Sequence, residues 1–177
     1  MLFPGGRLPL RIFEQRYLEM AKACLKDHAP FGVCLIQEGK EVGEPALPVG
    51  VGCLARLADW DMPQLGVLQV TARGESRFRI RSRRVQADGL VRGTIELLPE
   101  GDDAPVPEAA ARYVELLERL IEQHPGLLER PHRLDSSAWV SARLAELLPL
   151  PLAAKQSLLE VDDGRARLEQ LNNFIKM

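Results

Sequence analysis

The sequence predicts an α+β protein: a small twisted barrel of short strands with one early helix, followed by a bundle of helices. Three observations carry this prediction. Between residues 31 and 98, five apolar, β-favouring runs are separated by turns rich in Gly, Pro and Asp, the pattern of a small antiparallel barrel. A single helical periodicity precedes them, at Phe13, Tyr17, Met20, Ala21, Cys24 and Leu25, the spacing of one helix face. After Pro99 to Pro107 the apolar residues recur at helical intervals throughout, which places a boundary between a lobe at 1–105 and a helical lobe at 106–177.

Taken in order, Pro4-Gly5-Gly6 is turn chemistry, because Pro presets φ and Gly takes positive φ without a clash. Pro9 disfavours helix at Leu8, so the chain enters extended and becomes helical from Phe13. Phe31 to Glu38, apolar at successive positions, reads as a central strand. Gly39 to Val49 reads as a long loop, Gly50 to Leu57 as a strand, and Ala58 to Leu65 as another loop. Gly66 to Arg73 is a strand, Gly74-Glu75-Ser76 a tight connection, and Arg77 to Gln86 the next strand. Asp88-Gly89 turns the chain into Leu90 to Leu98.

In the second lobe, Pro107 suits a helix start, where its missing N–H costs nothing. Ala110, Tyr113, Val114, Leu117, Leu120 and Ile121 form an apolar stripe ended by His124-Pro125-Gly126. Asp135-Ser136-Ser137 offers N-caps for a helix to Leu148, Pro149 and Pro151 separate it from one ending near Glu160, and Asp162-Asp163 caps the last. Helices this short are marginal alone in water, so they must pack together.

Hydrophobic residues make up 46% and charged residues 27% of the 177, which are globular values. The net charge is −2, with 14 basic and 14 acidic residues to position 105 and 9 and 11 after it. Neither half is a basic nucleic-acid module. Cys24, Cys34 and Cys53 include no Cys-x-x-Cys pair, and each sits in an apolar periodic run, as reduced buried thiols do. No run reaches the roughly 18 apolar residues of a membrane span, and no basic-then-apolar leader opens the chain; a cytoplasmic protein is expected.

Chemistry-bearing motifs are sparse. Gly39-Lys40 lacks the following Ser or Thr of a phosphate loop, and Gly50-Val51-Gly52 lacks a third glycine at Ala55. His28, His124 and His132 fall in turns without metal-ligand spacing. Asp102-Asp103 and Asp162-Asp163 stand where turns and caps want carboxylates. Lys155 and Ser157 are two apart on a helix and face different ways, so no nucleophile and base are paired. The expectation is a protein with no catalytic residues, metal or cofactor.

Two stretches suggest binding. Asp59-Trp60-Asp61-Met62-Pro63, with Leu65, sets Trp60, Met62 and Leu65 in a loop, where an aromatic and a flexible thioether can anchor a polypeptide. Arg77, Arg79, Arg81 and Arg83 alternate with Phe78, Ile80 and Ser82, which puts four guanidinium groups on one strand face. Such a row suits phosphates or an acidic peptide, and it equally serves as a solvated face that resists edge-to-edge aggregation. No aromatic residue interleaves with it, as single-stranded nucleic acid would want.

The segment Phe3-Pro-Gly-Gly6 followed by Leu8-Pro-Leu-Arg-Ile-Phe-Glu-Gln-Arg-Tyr17 resembles the opening signature of the Lon substrate-binding domain, the N-terminal domain of ATP-dependent proteases that also occurs alone. The resemblance continues in order through Phe31 to Ile36, Val51 to Leu57, Gly66 to Gly74 with Arg77 to Ile80, and Leu168 to Leu171. It implies a pseudobarrel related to PUA-type barrels, followed by helices, and a non-enzymatic protein that recognises unfolded or tagged polypeptide, as an accessory to a protease or chaperone. The expected surface is an apolar groove between the lobes or a free sheet edge. The alternative is an RNA-binding barrel using Arg77 to Arg83. The family has an apolar strand before the Phe-Pro-Gly turn, where this chain has Met1-Leu2; the expectation is a barrel lacking that strand or a longer reading frame.

Overall fold

One long strand organises the first half of the chain. The computed structural model describes residues 1–101 and 103–175, which divide into two compact units, Met1–Leu98 and Pro99–Met177. In the first, the strands are β1 (Arg7–Ile12), β2 (Phe31–Glu38), β3 (Leu47–Gln64), β4 (Val67–Val85) and β5 (Val91–Leu97), with helix α1 (Gln15–Asp27) between β1 and β2. The sheet is antiparallel in every pairing. Its path runs β1-β4-β3-β2, with β5 also on β4. Strand β4 therefore has β3 along one edge and β1, then β5, along the other. Among the described residues the path does not return on itself: the expected barrel is an open, curled sheet within an α+β fold.

The N-terminal turn forms as its residues require. Gly6 N donates to Phe3 O at 2.9 Å, and Gly5 supplies the positive φ of 73° that follows a Pro in such turns. Leu2 and Phe3 are buried beneath it.

Three expectations need correction. Gly74-Glu75-Ser76 is not a connection, because β4 runs straight through it. Gly74 instead exchanges hydrogen bonds with the N-terminal turn, its O accepting from Gly5 N and its N donating to Gly6 O, both at 2.9 Å. A glycine inside a strand marks such a close backbone approach as often as a turn. Residues 58–65 are not a loop either: β3 extends to Gln64, with its register shifting between Leu57 and Asp59. Lastly, β2 ends the strand path and is not central. Its apolar residues are covered by the curl of the sheet, Phe31 and Val33 lying on the cluster Leu2, Cys53, Ala55 and Ala72. On the other face the Phe78 ring fills the space a Cβ would need at Gly32 and Gly52.

Helix α1 packs through Ala21 on Ile12, Leu68 and Val70, joined by Leu10, Tyr17, Leu18 and Leu57. It starts two residues after Phe13, which is half exposed and not part of its buried face. Arg16 is buried. It donates from Nη1 to the Gly89 carbonyl at 3.2 Å and pairs through Nη2 with Glu14 at 2.9 Å, so the buried guanidinium fastens the β4–β5 turn to α1.

In the second unit a short 3-10 turn (Glu108–Ala110) leads into α2 (Ala111–Gln123), followed by α3 (Ser137–Leu147), α4 (Leu152–Leu159) and α5 (Gly164–Leu171). Ser136 caps α3 by accepting from Trp139 N at 3.0 Å, and Asp163 caps α5 through Ala166 N at 2.8 Å. Helices α3 and α5 approach so closely that a Cβ on Gly164 would sit 2.5 Å from Ala138 N. Buried Arg167 donates to the carbonyls of Leu158 and Val161 at 2.9 and 2.7 Å and to Ser141 Oγ at 3.1 Å. One guanidinium thereby ties the C-terminal end of α4 and the residues after it to α3 and α5.

Two outcomes follow for stability. A Cβ at Gly74 would collide with the Phe3 carbonyl oxygen and lie 3.2 Å from Cys53 Sγ, whereas nothing stands within 4 Å of one at Gly50. Gly74→Ala is expected to cost about 2–3 kcal/mol in urea unfolding, and Gly50→Ala to stay within about 0.5 kcal/mol; equal effects would disprove the close approach. Burial pushes the Cys34 thiol up from 9.0 to about 11. A raised thiol pKa means that the folded state holds its proton longer than the unfolded one, so stability present below about pH 9 is lost as pH rises towards 11. Cys34→Ser is expected to flatten that decline, and alkylation of Cys34 at pH 8 to be much slower than that of a free thiol.

Candidate functional site

Strands β3 and β4 are joined by a two-residue turn, Leu65-Gly66, with Gln64 opposite Val67 and Gly66 at φ 81°. The hairpin end carries the polypeptide-anchor candidates. Leu65 is 96%, Trp60 60% and Met62 47% exposed, which is uncommon for three large apolar side chains within six residues of one hairpin. Trp60 shares a rung with Val70 and Leu10, so it continues the row of the buried α1 cluster outward to solvent. Asp61 Oδ1 accepts from Met62 N at 2.8 Å and steadies the backbone between the two.

Beside Trp60 lies an open groove of about 460 Å³. It spans three rungs of β1, β4 and β3: Pro9–Thr71–Asp59, Leu10–Val70–Trp60 and Arg11–Gln69–Asp61. Its charged residues oppose each other, with Arg11 on one side and Asp59 and Asp61 on the other. Next to it stands a rung of three arginines, Arg7, Arg73 and Arg56. Arg7 pairs with Asp59 at 3.5 Å and Arg56 with Glu75 at 2.7 Å, the hydrogen bond to Glu75 raising the Arg56 pKa. Neighbouring carboxylates thus offset what a row of like charges would cost.

The arginine row of β4 is not the comb that strict alternation predicts. Arg77 is 1% exposed, among the largest fully buried side chains, while Arg79, Arg81 and Arg83 are exposed. Beyond Arg79 the strand pairs only with β5, as a two-stranded ribbon. Its register runs Ile80↔Ile95 and then Ser82↔Thr94, so Arg81 is the extra residue of a β-bulge. The bulge changes the phase. Arg83 falls opposite Gly93, on the face of Ile80 and Ile95, and Arg84 falls directly opposite Arg92 on the face of Ser82 and Thr94. Arg84 and Arg92 escape a reading by alternation; the Arg83-Arg84 doublet is the one sequence signal that a phase change could bring a different arginine to the row.

The remaining chemical candidates have structural occupations. Ser157 Oγ donates to Ala154 O at 2.9 Å and accepts from Gln170 Nε2 at 3.1 Å, whereas Lys155 Nζ donates to Glu146 O at 2.7 Å, its pKa lowered by burial. Asp103 accepts from Ser136 Oγ and pairs with Arg133; its neighbour Asp102 lies outside the described residues. His28 caps α1 in the left-handed conformation, and the His132 ring lies 5.9 Å from that of Trp139. Burial holds the Cys24 thiol above its ordinary range, as it does Cys34. Among the described residues no three His, Cys, Asp or Glu side chains are placed to hold a metal, and no helix is long and apolar enough to cross a membrane.

This architecture has known counterparts. The Lon N-terminal domain protein of Xanthomonas campestris superposes with a TM-score of 0.83 at 36% identity, covering 99% of this chain and 93% of that one. The N-terminal domain of the Mycobacterium avium complex Lon protease, at 17% identity and a TM-score of 0.65 over 98% of this chain and 91% of its own, shares the fold. In sequence, the chain is 26% identical to the Lon protease of Anaeromyxobacter dehalogenans over 177 residues, 96% of this chain and 21% of that protein. It is also 26% identical to protein cereblon of Gallus gallus over 103 residues, 56% of this chain and 22% of that one. The chain spans about a fifth of the length of the curated relatives it matches. The family model of the substrate-binding domain of ATP-dependent protease La (LON) matches residues 1–177, and the chain belongs to that family.

Proposed function

We propose that this chain is a non-enzymatic recognition module for polypeptide, binding exposed apolar segments of unfolded or tagged proteins as an accessory to a protease or chaperone. Membership of a substrate-binding domain family supports the class of ligand. One observation carries the location: Trp60, Met62 and Leu65 stand exposed together at the end of the β3–β4 hairpin. Held on paired strands, they present apolar area at little ordering cost, which is what gives preorganised surfaces their affinity. The adjoining groove, with Arg11 on one side and Asp59 and Asp61 on the other, suits an extended segment that carries polar side chains beside its apolar anchors.

The test is saturable binding of an unfolded, alkylated model polypeptide to the purified chain, followed by fluorescence polarisation. Trp60→Ala is expected to weaken binding about tenfold or more, as loss of a central aromatic anchor does. Because Trp60 is 60% exposed, the thermal unfolding midpoint should scarcely move. Absence of saturation at micromolar protein, or affinities of Trp60→Ala and Leu65→Ser that both equal the parent's, would remove this reading.

A further inference from the structure

Beyond the hairpin anchors, the outer end of the sheet carries a second surface of distinct chemistry. On one face of the β4–β5 ribbon the register brings together Arg79, Arg84 and Arg92 with the hydroxyls of Ser82 and Thr94. Arg81 joins them, because its guanidinium pairs with Glu96, the residue opposite Arg79. Four guanidiniums and two hydroxyls thus face one carboxylate, and all seven residues are exposed. The Arg84–Arg92 rung is like charge directly across a strand pair, an arrangement that destabilises an isolated ribbon. The Arg7–Arg73–Arg56 rung has carboxylates attached to it; here the rung next to Arg84–Arg92 is Ser82–Thr94, which supplies donors and no negative charge, and α1 comes near Arg92 at the Cys24 thiol, with Asp27 close to the same thiol. A locally unfavourable choice within an otherwise consistent strand points to a ligand that offsets it.

The edge beside this face is also open. β5 pairs only with β4 among the described residues, and Arg92 to Leu97 are exposed. A strand joining that edge would continue the pleat, with same-face side chains about 7 Å apart, in step with Arg92 and Thr94. A second copy of this chain is a poor occupant, since it would set arginine against arginine.

We propose that the β4–β5 ribbon binds an acidic extended polypeptide segment, added along β5 with its Asp or Glu side chains over Arg84, Arg92 and Thr94. This rests on the polypeptide reading above and names a class of segment for it: acidic residues at alternate positions, taken at the opposite end of β4 from the Trp60 hairpin. Phosphodiester polymers are disfavoured, because no aromatic side chain lies on this face to stack a base.

The experiment compares three short labelled peptides of equal length, one with Glu at alternate positions, one with Lys there, and one neutral and apolar, and adds a single-stranded RNA competitor. The proteins are the full chain, Arg84→Ser/Arg92→Ser, and Trp60→Ala. The acidic peptide is expected to bind the full chain, to lose about tenfold in affinity to the double variant, as the removal of two partly exposed charge pairs would give, and to weaken as salt rises to about 0.15 M. The neutral peptide should be insensitive to the double variant and weakened by Trp60→Ala. The double variant relieves like-charge repulsion, so its thermal midpoint should equal or exceed that of the parent, which separates lost binding from lost folding. Equal affinity for the Glu and Lys peptides, an unchanged affinity in the double variant, or RNA displacing the acidic peptide at a lower concentration than the peptide itself needs would each overturn the proposal. If the acidic peptide fails while the neutral one binds through Trp60, the ribbon inference falls alone; if none binds, the polypeptide reading falls with it.

Discussion

The first unit is governed by the length of β4. Nineteen residues in one strand would extend about 63 Å if straight, whereas a domain of its size is only about 34 Å across. The strand must bend, and the register shows where: between Cys53 and Ala55 of β3, opposite Arg77 and Gly74, and again at Arg81 opposite β5. The first irregularity coincides with the place where the N-terminal turn lies against Gly74. It turns the sheet around Leu2, Cys53, Ala55 and Ala72, against which Phe31 and Val33 of β2 are partly buried. The second releases the β4–β5 ribbon from β3. Core and exposed ribbon are thus two consequences of one overlong strand.

Because a bulge shifts the two-residue period by one, it also decides which charges reach solvent. Arg77 follows the phase of Cys53 and Val33 and is carried inside, while the bulge at Arg81 exchanges Arg83 for Arg84 on the ribbon face. A net charge of −2 conceals this segregation. The chain also keeps Arg16, Arg143 and Arg167 buried, and where their contacts are plain they do what a planar, multi-donor cation does and lysine cannot. Arg167 gathers two carbonyls and a hydroxyl at once; Arg16 joins Glu14 to the Gly89 carbonyl. Arg16 and Arg167 thus hold backbone carbonyls from within the core, whereas Arg79, Arg81, Arg84 and Arg92 stand exposed on the ribbon.

How much of this the sequence discloses depends on whether a residue's role is local. Caps and breakers are local, and Ser136, Asp163, the Pro4-Gly5 turn and the stop at His124 are legible because each acts on backbone within four residues. The strand Phe31–Glu38 is legible for the same reason, being a short apolar run between breakers. Its place in the sheet is not, because burial by curvature and burial by flanking strands leave the same apolar signature. Residues 58–65 contain Asp, Pro, Gln and Gly-adjacent positions that read as loop, yet a hairpin extending into solvent needs polar strand residues. Gly74 shows the same ambiguity, since absence of a Cβ serves a turn and a close approach equally. Trp60, Met62 and Leu65 are legible as candidates and misplaced in kind, on strands and a two-residue turn where a loop is expected.

That misplacement bears on function. A loop Trp can fold back onto its own core, but cross-strand pairing with Val70 fixes Trp60 to a rung whose inner members, Leu10 and Val70, already belong to the packed clusters. Its exposure follows from its place on that rung, at the outer end of the β3–β4 pairing. Changing that exposure would require slipping β3 against β4, and a one-residue slip would also turn Ala55 and Leu57 out of the interior. The same pairing that places Ala55 and Leu57 in the interior therefore holds position 60 at the surface, so an apolar residue there adds nothing to the core and must be accounted for by something outside it.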